Sequence, residues 1–135
     1  MDGVILTPLK QIYHPKGDLF HGMKKSDNGY NGFGEAYFST INRDEIKGWK
    51  KHTKMTLNLI VPVGAIKFVV YHEETQEFFT TTLSQNNYQR LTVRPNLWMA
   101  FQGVSEYNML LNLASIEHDT NEAINIDLKE IIYEW

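Results

Sequence analysis

The chain has 135 residues, 42% hydrophobic and 13% aromatic, enough for one domain that buries roughly two thirds of its unfolded surface around a single core. Its 13 Lys and Arg against 16 Asp and Glu give a net charge of -3, which argues against a protein that wraps nucleic acid or coats an anionic membrane. Cysteine is absent, which excludes disulfides, thiolate metal sites and a thiol nucleophile, and fits a reducing compartment.

The start, Met1-Asp2-Gly3-Val4-Ile5-Leu6-Thr7-Pro8, has no basic segment followed by a long apolar run. No later stretch reaches membrane-spanning length, so a cytoplasmic, soluble protein is expected. In chain order, short segments rich in β-branched and aromatic residues predict strands at Val4 to Ile12, Gly34 to Ile41, Lys54 to Val61, Ala65 to Tyr71, Glu77 to Leu83, Gln89 to Arg94, Leu97 to Gln102 and Glu106 to Ser115. Turn signals separate them: His14-Pro15-Lys16-Gly17-Asp18, Asp27-Asn28-Gly29, Val63-Gly64, His72-Glu73-Glu74, Gln85-Asn86-Asn87 and Arg94-Pro95-Asn96. Helix signals are confined to one turn over Asn42 to Lys47 and a short terminal helix or strand over Asn125 to Tyr133. With no repeat and no linker, about eight short strands predict one all-β domain over residues 1–135, an antiparallel sandwich or barrel.

The stretch from Ile46 to Gly64 carries the most information. Read as a strand, its period of two puts Lys50, His52, Lys54, Thr56 and Asn58 on one face and Met55, Leu57, Leu59 and Val61 on the other. The apolar face packs. The polar face meets either bulk water or a cavity that holds something polar.

Those residues also carry a family resemblance. The run Lys47-Gly48-Trp49-Lys50-Lys51-His52, with Gly64 twelve residues beyond His52, resembles the first motif of small cupins that act on nucleotide-linked keto sugars. These are the dTDP-4-dehydrorhamnose 3,5-epimerases and the dTDP-6-deoxyhexulose 3,4-ketoisomerases. Pro15-Lys16-Gly17-Asp18-Leu19-Phe20, Val93-Arg94-Pro95-Asn96-Leu97-Trp98 and the tail Asp127 to Trp135 are similar to further segments of that family, in the same order. The resemblance implies an antiparallel jelly-roll barrel, a dTDP-sugar epimerase-like cupin. It also implies an isomerase or epimerase of a nucleotide-linked 4-keto-6-deoxy sugar in surface-polysaccharide or lipopolysaccharide synthesis.

Against that pattern, Lys50 stands where both enzyme groups place a histidine, while His52 matches the ketoisomerases' second histidine. Asn112 stands at the epimerases' catalytic tyrosine, and Tyr37 falls thirteen residues before Lys50, where the ketoisomerases also have a tyrosine. The places of the usual cupin metal ligands read Lys50, His52, Thr56 and Met99, which leaves one imidazole where a divalent ion wants three or four donors. No metal and no other cofactor is expected.

The chemistry assigns provisional roles. Isomerising a keto sugar means removing a proton next to a carbonyl, so His52 is the candidate base, Lys50 the cation for the enolate or itself a base, and Tyr37 a proton shuttle. Candidate substrate-binding residues are Lys16, Glu35, Lys47, Trp49, Lys54, Asn58, Arg94, Trp98, Phe101 and Asn112, with Lys16 or Arg94 meeting a diphosphate. Trp49, Trp98 and Phe101 are core or cavity wall by default, and stacking surfaces if the pocket reaches them. His14, His21, His72 and His118 read as solvated, and Glu73-Glu74 as hairpin polarity. The alternative is a catalytically silent cupin that binds a sugar nucleotide or partners a biosynthetic enzyme. Sheet edges and an apolar outer face point to a homodimer.

Overall fold

Alternating sequence patterns build two facing sheets. The computed structural model describes all 135 residues. Its strands are β1 (Val4–Pro8), β2 (Gln11–Ile12), β3 (Leu19–Phe20), β4 (Glu35–Asn42), β5 (Ile46–His52), β6 (Leu57–Val63), β7 (Ala65–His72), β8 (Glu77–Ser84), β9 (Gln89–Val93), β10 (Trp98–Gly103), β11 (Tyr107–Ala114) and β12 (Ala123–Asn125). A single 3-10 turn, Leu128–Glu130, follows. One five-stranded antiparallel sheet runs β1-β9-β6-β11-β4, the other β12-β5-β10-β7-β8, and β2 and β3 form a separate ribbon. The result is the expected all-β jelly roll.

Side chains alternate across each sheet, and their inward halves meet. Leu57, Leu59 and Val61 of β6, Phe68 and Val70 of β7, Leu91 and Val93 of β9, Met99 of β10 and Leu110 of β11 belong to one buried cluster between the sheets. A second cluster, Trp49, Val69, Trp98 and Ala100, lies on the outer face of the β5-containing sheet. The C-terminal tail covers it with Ile126, Ile131, Tyr133 and Trp135. The segment between β3 and β4 covers the outer face of β6 and β9. There the Asn58 amide donates to the Gly29 carbonyl at 2.9 Å, and buried Arg90 donates to the Gly22 carbonyl at 2.8 Å and to Asp27 at 3.1 Å.

Three expectations change. Val4 to Ile12 is two strands, because β1 ends on Pro8, which has no N–H to continue a ladder. Asn42 to Lys47 makes no helical turn; its last residues, Ile46 and Lys47, begin β5. Ile46 to Gly64 is not one strand: β5 and β6 belong to opposite sheets, joined by a corner at Thr53 to Thr56. Parity therefore resets at the corner, and even-numbered residues that face inward on β5 face outward on β6.

The path of β5 depends on a bulge. Opposite β10, Lys50 pairs with Met99 and Lys47 with Phe101, so Gly48 and Trp49 together oppose Ala100 alone. The extra residue flips the alternation, so that both Lys47 and Lys50 face inward. Gly48 sits at φ 151°, and a Cβ there would lie 2.3 Å from the Ala100 Cβ. A side chain at this point must push the two strands apart. Gly48→Ala is expected to destabilise the fold by about 3 kcal/mol, from backbone strain plus overpacking. A denaturant midpoint equal to that of the wild type would contradict this account of the bulge.

Candidate active site

The cavity lies between the sheets, with about 380 Å³ of space, within the roughly 300–1,000 Å³ of small-molecule sites. Tyr37 and Ser39 of β4, Leu57 and Leu59 of β6, and Leu110 and Asn112 of β11 line it from one sheet. Lys47, Gly48, Lys50 and His52 of β5, Met99 and Phe101 of β10, and Asn125 of β12 line it from the other. Leu57, Leu59, Leu110, Met99 and Phe101 make up the apolar part of this lining, and the polar groups come from both sheets.

His52 is held by a carboxylate that sequence reading did not find. Its Nδ1 lies 2.5 Å from Glu122 Oε1, and Glu122 is 3% exposed. The other carboxylate oxygen accepts the backbone N–H groups of Thr53, Lys54 and Met55 at 3.0, 3.0 and 3.1 Å. Glu122 thus closes the corner between β5 and β6 and orients the ring in one contact set. Burial pushes the Glu122 carboxyl upward, but the His52 bond and the amides of Lys54 and Met55 outweigh it and hold it down at about 2. An ionised carboxylate can only accept, so Nδ1 carries the hydrogen and Nε2 is the ring nitrogen left free to accept one.

Across the cavity, Tyr37 Oη accepts from Asn112 Nδ2 at 2.9 Å. Asn112 Oδ1 in turn accepts the Asn58 backbone N–H at 3.1 Å. Lys47 Nζ donates to the Thr40 carbonyl at 2.8 Å, which ties β5 to β4 beside the cavity. No group of three His, Cys, Asp or Glu side chains converges anywhere in the fold.

Of the residues singled out from sequence, Tyr37, Lys47, Lys50, His52, Phe101 and Asn112 meet around this one space. The others do not. Asn58 faces outward after the corner, where its side chain accepts from Arg90 and Thr92 and anchors Gly29. Lys54 is exposed in the corner itself. Trp49, on the outer face of β5, donates its indole N–H to the Leu128 carbonyl at 3.2 Å under the tail. Trp98, on the same outer face, donates to Glu73 at 3.1 Å beneath the Lys51 ammonium. Lys16 is exposed in the loop between β2 and β3. Arg94 lines a separate surface depression with Asp2, His72 and Glu74. Glu35 accepts the His118 backbone N–H at 2.9 Å and fastens the loop after β11.

Ser39, Gly48, Asn125 and Glu122 are the polar or backbone features that sequence reading missed. The period-two pattern through Tyr37 points to Ser39. Nothing local points to Glu122, which lies 70 residues from its histidine.

The depressed Glu122 carboxyl has a stability consequence. Its ordinary value is 4.5 and its folded value about 2, so the stabilisation is complete above pH 4.5 and is lost as pH falls towards 2. The size is about 3 kcal/mol. Urea unfolding of the wild type and of Glu122→Gln should therefore differ near neutrality, and the gap should close as pH drops through that window. A gap independent of pH would show that the carboxylate does not hold the corner.

A dTDP sugar isomerase from Desulfovibrio desulfuricans G20 superposes with a TM-score of 0.93 at 29% identity, covering 99% of this chain and 91% of that one. A histidine-to-asparagine mutant of the 3,4-ketoisomerase QdtA from Thermoanaerobacterium thermosaccharolyticum, solved with TDP-4-keto-6-deoxyglucose, gives 0.80 at 25% identity, covering 92% and 88%. The RmlC epimerase of Mycobacterium tuberculosis shares the fold, with a TM-score of 0.86 at 12% identity and coverage of 99% and 74%. No curated protein matches. Residues 2–131 match the family model described as FdtA: WxcM-like, C-terminal, and the chain belongs to that family.

Proposed function

We propose that this cavity isomerises a nucleotide-linked 4-keto-6-deoxy sugar, dTDP-linked in the first instance, by moving the keto group between neighbouring carbons. The observation that carries the reading is the pairing of His52, oriented by Glu122, with Tyr37 on the opposite sheet of the same cavity. A base on one wall and a hydroxyl on the other are what a proton shift along a carbon pair requires. The likeness to a dTDP sugar isomerase at 29% identity supports the substrate class.

His52 Nε2 takes the proton from the carbon beside the carbonyl. The electrons move onto the carbonyl oxygen, where the Lys50 ammonium stabilises the enolate. Tyr37 passes a proton between the two oxygens, and His52, after its Nε2 proton exchanges with solvent, protonates the former carbonyl carbon. Atoms balance without any redox partner. Lys50 and Lys47, in place of the distant Lys16 and Arg94, are the amines beside the cavity that suit a diphosphate or an enolate.

We place the reaction in the cytoplasm, in surface-polysaccharide synthesis, with a homodimer as the working unit. Phe38 and Tyr107, on outward positions of β4 and β11, are 62% and 56% exposed and support pairing of that face. No helix is long and apolar enough to cross a membrane.

The test is solvent exchange. Mixed with dTDP-4-keto-6-deoxyglucose in heavy water, the protein should remove the C3 proton signal and yield a 3-keto product bearing deuterium at C4. His52→Asn should slow this about 10²- to 10⁴-fold. Lys50→Met should lower kcat by about 10²-fold with a smaller effect on KM. Label at C5 would point to epimerisation instead, binding without label to a silent pocket, and absence of binding would overturn the reading.

A further inference from the structure

Asn112 occupies the wall of the cavity, yet both of its polar atoms are already engaged by the protein. Its Oδ1 faces the Asn58 backbone N–H at 3.1 Å, a group that can only donate. That contact fixes which way the side-chain amide is turned, so Nδ2 must be the atom 2.9 Å from Tyr37 Oη. An amide N–H cannot accept. The Tyr37 oxygen is therefore the acceptor in this bond, and its own hydrogen points elsewhere. Within the protein the only other partner is the Met55 thioether, at 4.0 Å, a weak acceptor.

We propose that Asn112 is a positioning residue that fixes the direction of the Tyr37 proton, presenting the hydroxyl to the cavity as a donor. When the phenol gives up its proton, the same amide N–H becomes a charge-assisted donor to the phenolate and steadies it without ever exchanging a proton itself. The amide is steadied from outside the cavity. Its acceptor side is held by β6, and the adjoining Asn58 side chain is locked by Arg90, Thr92 and Gly29 in the buried outer layer. Asn112 is 1% exposed, so solvent does not compete for either bond. This reassigns Asn112 from substrate contact to control of the acid, and it rests on the isomerase reading given above.

Asn112→Asp reverses the polarity at nearly constant shape. A carboxylate still accepts the Asn58 N–H, but the Tyr37 hydroxyl now donates to it and is turned away from the cavity. With dTDP-4-keto-6-deoxyglucose, kcat should fall about 100-fold with KM changed by less than about threefold. Adding Asn112→Asp to a Tyr37→Phe protein should cost less than about a further twofold, because no phenolic proton remains to redirect. An equal loss in both backgrounds overturns the proposal, since it would mean that Asn112 acts through packing alone. A second measurement needs neither turnover nor the Asp variant. In the ligand-free protein, one of the two Asn112 side-chain amide protons should shift in ¹H–¹⁵N spectra on Tyr37→Phe while the other stays. Movement of neither proton overturns the proposal even if the wild type proves to be an active isomerase. An inactive wild type with the shift present would remove the isomerase reading and leave the orientation of Tyr37 standing.

Discussion

The contact between the Glu122 carboxylate and the His52 ring carries two loads at once. One oxygen orients the imidazole; the other gathers three consecutive amides at the point where the chain leaves one sheet for the other. A corner of this kind leaves N–H groups that a ladder cannot satisfy, and a buried carboxylate satisfies them strongly because each bond is charge-assisted. The ionised state of Glu122 is thereby coupled to the tautomer of His52 and to the crossing of β5 into β6. Fold and reactivity share one group, so a change that relaxes the corner also releases the ring.

The second constraint is the division of labour between two sheets. β5 supplies His52, Lys50 and Lys47, while β4 and β11 supply Tyr37 and Asn112. Charge that develops on a bound carbonyl compound would lie between an imidazole with a fixed tautomer on one side and a phenol with a fixed proton direction on the other. Leu57, Leu59, Leu110 and Phe101 supply the apolar lining between them. Lys50 in place of a second histidine puts a cation, rather than a second neutral base, beside His52. Asn112 in place of a second tyrosine leaves Tyr37 as the one phenol lining the cavity.

What the amino-acid order discloses depends on the range of the interaction. Strand type and the shared face of Lys50 and His52 follow from local alternation, while the family match, and with it the expectation of a cavity beside that face, rests on the Lys47 to His52 motif and the segments that accompany it. The outward turn of Asn58 does not, because the alternation reads smoothly through a corner at which the chain changes sheets. Lys47 shares the inward face with Lys50, three residues on, only because one residue is inserted at Gly48, and composition gives no sign of it. Trp98 is placed by alternation on β10, yet which face is wet depends on a tail some thirty residues later that lies over it. Glu122 is invisible for the plainest reason, a contact across 70 residues between a loop acid and a strand histidine.

The central claim is that the Glu122 carboxylate holds the His52 proton on Nδ1 and leaves Nε2 as the base. Long-range ¹H–¹⁵N correlation on ¹⁵N-histidine protein, taken above the pH at which the ring is charged, reads this directly. The account predicts a protonated Nδ1 and an Nε2 with the shift of an unprotonated, pyridine-like nitrogen. A spectrum in which Nε2 carries the proton instead would contradict it.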